Sequence, residues 1–210
     1  MAINFTTLTA AEKTTEGSIR NWCNRKDISV TNILLEAEAM IYERLRVREM
    51  MVDEAFTFAD ATSSKALSSL SGTFLDPIQF VPYEWGYPLS FYHEASMPFA
   101  RDSAGALFQS TAPSAWTIIG ETAWVDVLLD GAFSGRMMYY AQPAALSSSN
   151  ETNFLTTRYP SLLRYACMAK AYEHMKDANR AKSYTELAMG ATASAMQTND
   201  MFRRSQHVPA

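Results

Sequence analysis

Hydrophobic positions change rhythm twice along the chain: helical, then aromatic and strand-like, then helical again. From about Ala10 to Asn24 no proline interrupts, and Glu16 stands four residues before Arg20, a spacing that pairs side chains on one helix face. A first helix is expected there. Asp27 and Ser29 are candidate caps for a second. In it Val30, Ile33, Leu34, Ala37, Ile41 and Leu45 recur at steps of three and four, the stripe of an amphipathic helix. It should end near Arg48, where Arg44, Arg46 and Arg48 suit the negative end of the helix dipole.

The middle, about Val52 to Ala145, reads differently. Residues 71–140 hold 14 of the 25 aromatic side chains, which favours strands. Gly120-Glu121 separates Trp116–Ile119 from Thr122–Leu129, and Asp130-Gly131 opens a turn before Arg136–Ala141. These three segments are expected to form an antiparallel meander. Leu75–Val81 and Tyr87–Tyr92 are further candidate strands, and Glu94–Asp102 a short helix.

A polar linker, Ala144–Asn153, leads back to helix. Pro160 suits a first helical position. Leu162, Tyr165, Ala166, Ala169 and Tyr172 follow as one stripe, and Ala181, Tyr184, Leu187, Ala188, Ala191 and Ala195 as another. The short break at Lys176–Asn179 makes the pair an antiparallel αα-hairpin. The last stretch, NDMFRRSQHVPA, shows no period. The expected fold is therefore α+β and mainly an α-helical bundle. About four helices come from residues 1–50 and 151–198, an antiparallel β-rich region (51–150) is inserted, and 199–210 form an extended C-terminal arm.

Composition narrows the class. A chain of 210 residues can bury a core without disulfide or metal. Its net charge of −4 argues against a protein that grips nucleic acid through its overall field. No apolar run approaches the ~18 residues of a membrane span, and the N-terminus lacks the pattern of a signal peptide. Cys23 and Cys167 have no metal-ligand or redox spacing and are expected as buried, reduced thiols.

Candidate chemistry is sparse. His93, His174 and His207 have no partner at metal-ligand spacing. Cys167 and His174 share a helix face but stand two turns, ~10 Å, apart, too far for a thiolate–imidazole pair. His174 with Asp177 would supply only two ligands. Glu36 and Glu38, and Asp53 and Glu54, point to different faces of their elements and are read as solvated charge. The sequon Asn150-Glu151-Thr152 is read as polar linker. No catalytic residue, cofactor site or metal site is assigned. The run Met137-Met138-Tyr139-Tyr140 is apolar at both parities, so as a strand it must be covered on both faces. One cover is the chain's own core; a neighbouring subunit or the tail is expected to be the other.

Several segments in order resemble the head-to-tail adaptor proteins of tailed bacteriophages: ERLRVREMM (43–51), WTIIGETAWV (116–125), DGAFSGRMMYYAQPAAL (130–146) and the long stretch 149–188. Within the last, Asn153, Thr156, Thr157, Tyr159 and Pro160 match the stretch that leads into the hairpin, and His174-Met175-Lys176-Asp177 match its loop. Residues 82–115 depart from the pattern. The resemblance implies a structural virion protein without an active site, at the head-tail junction and assembled in the host cytoplasm. It implies a ring, twelvefold, that docks on the portal protein, extends the DNA channel and gives a nozzle or tail-tube protein its platform. Viral DNA would pass through without sequence-specific binding, for which an acidic balance suits the channel wall. The C-terminal arm has two readings: a frayed end without a role, or an arm that orders on the portal with Phe202 as apolar anchor and Arg203 and Arg204 on portal acids, and the resemblance favours the second. Two other classes stay open: a helical-repeat-like binding module, since AYEHMKDANRAKSYTELA resembles one tetratricopeptide unit, and a carbohydrate-binding surface protein that uses the middle aromatics.

Overall fold

A computed structural model describes residues 3–101 and 103–205, the last five by their backbone alone. The chain divides into two compact units, Met1–Glu49 with Pro143–Ala210, and Met50–Gln142.

The first unit is helical. Its elements are α1 (Phe5–Thr9), α2 (Ile19–Cys23), α3 (Val30–Tyr42), α4 (Phe154–Thr157), α5 (Pro160–His174) and α6 (Ala178–Ser205). Pro160 opens α5, where a missing N–H costs nothing. Lys176 takes a left-handed conformation in the short loop to α6. The two helices pack as a hairpin, and α2, α3 and α4 pack on α5 as well. Leu162, Leu163, Ala166, Cys167, Met168, Ala169, Ala171 and Tyr172 of α5 are accordingly all buried.

The second unit holds three sheets. Sheet one is β1 (Met51–Phe58), β9 (Phe133–Gln142) and β3 (Thr73–Pro82), with β9 in the centre and both pairings antiparallel. Met51 lies opposite Tyr140, so the strand that enters the unit pairs with the strand that leaves it. Sheet two is β2 (Ser64–Ala66), β7 (Thr122–Val125), β6 (Ala115–Ile119) and β4 (Ser90–Phe91), and β5 (Gln109–Ser110) pairs with β8 (Leu128–Leu129). Phe56, Phe58, Phe80, Trp116, Phe133 and Tyr139 fill the common core. Phe58 and Phe80 meet edge to face at 5.8 Å, an arrangement favoured by the ring quadrupoles.

Four expectations need correction. The protein is not mainly a helical bundle. It is α+β, with a large three-sheet unit in addition to the helical one, and of the helices only α3, α5 and α6 exceed five residues. The first helix, expected from about Ala10 to Asn24, forms only over α2, because Gly17 turns the chain at positive φ and Ser18 caps the helix start through Asn21 N–H; α1 lies before that stretch. The meander is not formed: β6 and β7 make a hairpin across Gly120-Glu121, but β9 belongs to the other sheet. Nor is the arm extended from Asn199. With no glycine or proline to stop it, α6 continues through Ser205, and 206–210 lie outside the described residues.

Gly135 sits in the central strand where a methyl group would meet Val81 O at 2.5 Å and the Phe80 ring at 2.7 Å. Gly135→Ala must push β3 away. It should destabilise the protein by about 1–3 kcal/mol, read as a lower urea midpoint at unchanged slope.

Candidate functional site

The cysteines and histidines gather into no shared metal site among the described residues. Cys23 and Cys167 are free and buried in the helical unit, and burial raises both thiols above their ordinary pKa. His174 is half exposed and lies 3.1 Å from Glu36 of α3. His93 is exposed, and His207 lies outside the described residues. Among the described residues no three of His, Cys, Asp and Glu gather where they could hold a metal ion. No helix among them is long and apolar enough to cross a membrane.

Two carboxylates correct the reading as solvated charge. Glu38 is 2% exposed on the inner face of α3. It accepts hydrogen bonds from Leu146 N–H (3.2 and 3.3 Å) and Asn153 Nδ2 (3.1 Å), residues of the returning chain. Burial raises its carboxyl above the ordinary value, although Leu146, Asn153 and Tyr42 pull it back. Glu54 of β1 accepts from Ser71 N–H and Oγ and from the Tyr139 hydroxyl, at 2.6 to 2.9 Å. Burial alone would raise Glu54; those bonds outweigh it, and its pKa is lowered.

The motif around Asn153 is built for positioning. Asn153 Oδ1 accepts from Leu155 and Thr156 N–H, and Thr156 Oγ1 accepts from Asn153 N–H, a capping box that starts α4. Tyr159 then precedes Pro160 as the first residue outside α5, edge to face with Phe154. Glu151 of the sequon ties down α1, accepting from Thr6 Oγ1 at 2.6 Å.

The strand Met137–Tyr140 is central in its sheet. Met137 and Tyr139 are wholly buried in the unit's own core, and Tyr140, of the other parity, is buried as well. Met138 is half-buried on the opposite face, beside Arg136, whose guanidinium forks onto Asp53 at 2.6 and 3.0 Å. Phe202, Arg203 and Arg204 lie in the last turns of α6, one turn beyond Asn199. Asn199 Oδ1 accepts from Arg48 N–H at 3.1 Å.

One feature escaped the sequence reading. A groove of about 350 Å³ runs between the start of α5 and the second half of α6, lined by Arg158, Tyr159, Pro160, Leu162 and Ala195. It adjoins a smaller hollow of about 140 Å³ lined by Arg48, Arg158 and Asn199. Arg158 pairs with Glu49, whereas Arg48 has no acidic partner among the described residues. The signal in the sequence is the arginine run Arg44, Arg46 and Arg48, which also suits a helix C-terminus.

Residues 13–209 match the SU10 adaptor protein family. The chain belongs to that family and is a bacteriophage structural adaptor, a component of the virion. No curated protein matches it closely enough to count as a relative.

Glu38 yields a sign-definite prediction. A carboxyl whose folded pKa is raised contributes stability that is full below the unfolded pKa and is lost as pH rises through the folded one. Glu38→Gln, which keeps an acceptor, should remove that part of the pH dependence above the usual carboxylate range. Glu38→Ala leaves the Leu146 and Asn153 donors unmet and should cost about 1–3 kcal/mol. Urea titrations across the acid-to-neutral range compare the three proteins.

Proposed function

We propose that this adaptor forms a ring, twelvefold in a complete particle, that docks on the portal protein at the head-tail junction. The ring continues the DNA channel and offers a platform to a nozzle or tail-tube protein. The observation that carries this reading is the family match across residues 13–209, which agrees with the ordered set of segments that resemble head-to-tail adaptors. The role is structural, with no catalytic residue, cofactor or metal assigned. DNA passes without sequence-specific contacts, and a net charge of −4 supports this because a strongly basic wall would retain phosphates. We place assembly in the host cytoplasm.

The division into a helical part from both chain ends and an inserted β-rich part belongs to the same proposal: the helical part meets the portal, and the sheets meet neighbours or the tail. Toward the portal we assign Phe202, Arg203 and Arg204, now as the end of a long helix rather than a loose arm. A helical end that carries one phenylalanine and two arginines can seat on an apolar, acidic surface. Toward neighbours or the tail we assign the face of β9 that carries Met138, next to the Arg136–Asp53 pair.

Two experiments test these assignments. Arg203→Glu with Arg204→Glu should keep the helical circular dichroism of the wild type and fail to join portal-bearing heads, which then leak DNA. Completion of heads at wild-type yield would remove the C-terminal residues from the contact. On β9, Met138→Asp should leave the protein folded and impair assembly. Met137→Asp places a charge in the core and should unfold the β unit, a loss of several kcal/mol. Thermal unfolding and particle yield separate the two effects, and normal assembly by Met138→Asp would place the interface elsewhere.

A further inference from the structure

The surface of the β unit carries an acidic, aromatic projection at residues 83–87. Tyr83 and Tyr87 are 57% and 61% exposed, and Glu84 between them is exposed with no basic partner among the described residues. The turn is held by backbone bonds and ring packing. Trp85 and Gly86 N–H both donate to Pro82 O, and Leu89 N–H, with its side chain buried, donates to Phe80 O. Trp85 stacks on Tyr87 at 5.8 Å and leans on Phe133 at 5.5 Å. Such a turn presents two rings and a carboxylate with little ordering left to lose on binding.

The helical unit carries the opposite surface. Its groove has an apolar floor of Pro160, Leu162 and Ala195, and arginines stand at one end. Its volume of about 350 Å³ exceeds the roughly 150 Å³ that suffices for a benzene ring. Arg48 has no acidic partner among the described residues, and Arg158 keeps donors beyond those that meet Glu49. A basic groove in a chain of net charge −4 calls for a specific acidic occupant. An apolar floor is of no use to a phosphate backbone and fits a protein segment.

We propose that the occupant is a second copy of this chain: the 83–87 turn of one copy seats in the α5–α6 groove of the next. A tyrosine ring lies on Pro160 and Leu162, and the Glu84 carboxylate enters between Arg48 and Arg158. The two surfaces differ, so the contact is heterologous, and repeated head to tail it closes into a ring when the rotation permits. This names the subunit contact of the proposed ring and rests on that reading. It also gives residues 82–115, where the chain departs from the adaptor pattern, a role in self-recognition.

Charge exchange tests it. Arg48→Glu, Glu84→Arg and the double variant are compared with wild type by sedimentation and native mass spectrometry over a concentration series, with and without portal protein. Both positions are exposed, so all three variants should keep the wild-type unfolding midpoint. Each single reversal should weaken self-association about tenfold or more, and the double should recover most of it. Ser194→Trp, at an exposed position lining the groove, should block association whatever the charges. If wild type assembles and no variant differs from it, this contact is wrong while the ring reading stands. If single reversals weaken assembly and the double does not recover, the Arg48–Glu84 pairing is wrong. If wild type stays monomeric up to its solubility limit, alone and with portal, the ring reading and this contact fall together.

Discussion

A single buried carboxylate holds the helical unit together across the insertion. Helices α1 to α3 come from one end of the sequence and α4 to α6 from the other, with 93 residues between Glu49 and Pro143. Glu38 on α3 accepts from Leu146 and Asn153 on the returning chain, and so sets where that chain re-enters. Asn153 then caps α4, and Tyr159 and Pro160 start α5, the helix on which the others pack. A carboxylate is a costly choice for this task, because its charge must leave water. What it offers is acceptor capacity for several donors at once, which an apolar residue would leave unmet.

The β unit answers the same problem of closure with strand pairing. Its first strand and its last run side by side, so the chain enters and leaves at one place. The central strand β9 then has neighbours from far away in sequence on both sides, and its burial follows from that position. Glu54, Ser71 and Tyr139 link β1, the bend before β3, and β9 through hydrogen bonds. Glu54, with its lowered pKa, contributes stability that is present above the unfolded carboxylate range and lost in acid. Glu38 acts in the opposite sense.

An adaptor needs surfaces rather than an active site, and the distribution of unsatisfied groups reflects that. Polar side chains inside the protein are engaged in capping and crossing, with few exceptions such as the buried indole N–H of Trp116. Among the described residues, Tyr83 with no ring partner and Glu84 with no basic one are exposed on one unit, and Arg48 with no acidic one on the other. Binding energy stored in such groups becomes available only when another chain arrives, which suits a protein whose work is done in an assembly.

Much of the local structure was determined by the sequence alone. The stripe from Val30 to Ile41, proline at the start of α5, the short hairpin loop after it and the Gly120-Glu121 turn each depend on neighbours within a few residues. So did the alternation on β9 that separates Met137 from Met138. Tertiary structure decided what depends on distant partners: that β9 joins β1 and β3 rather than β6 and β7, that a large three-sheet unit forms in addition to the helical one, that Glu38 is buried and that Glu54 is bonded to Ser71 and Tyr139. A glutamate on a helix or strand reads as solvent-facing until the chain that covers it is known, and for Glu38 that chain arrives 108 residues later. The arginine groove was illegible for the same reason. Arg48, Arg158 and Asn199 belong to three segments, and only the packing of α6 on α5 and the bond from Arg48 N–H to Asn199 bring them to one hollow.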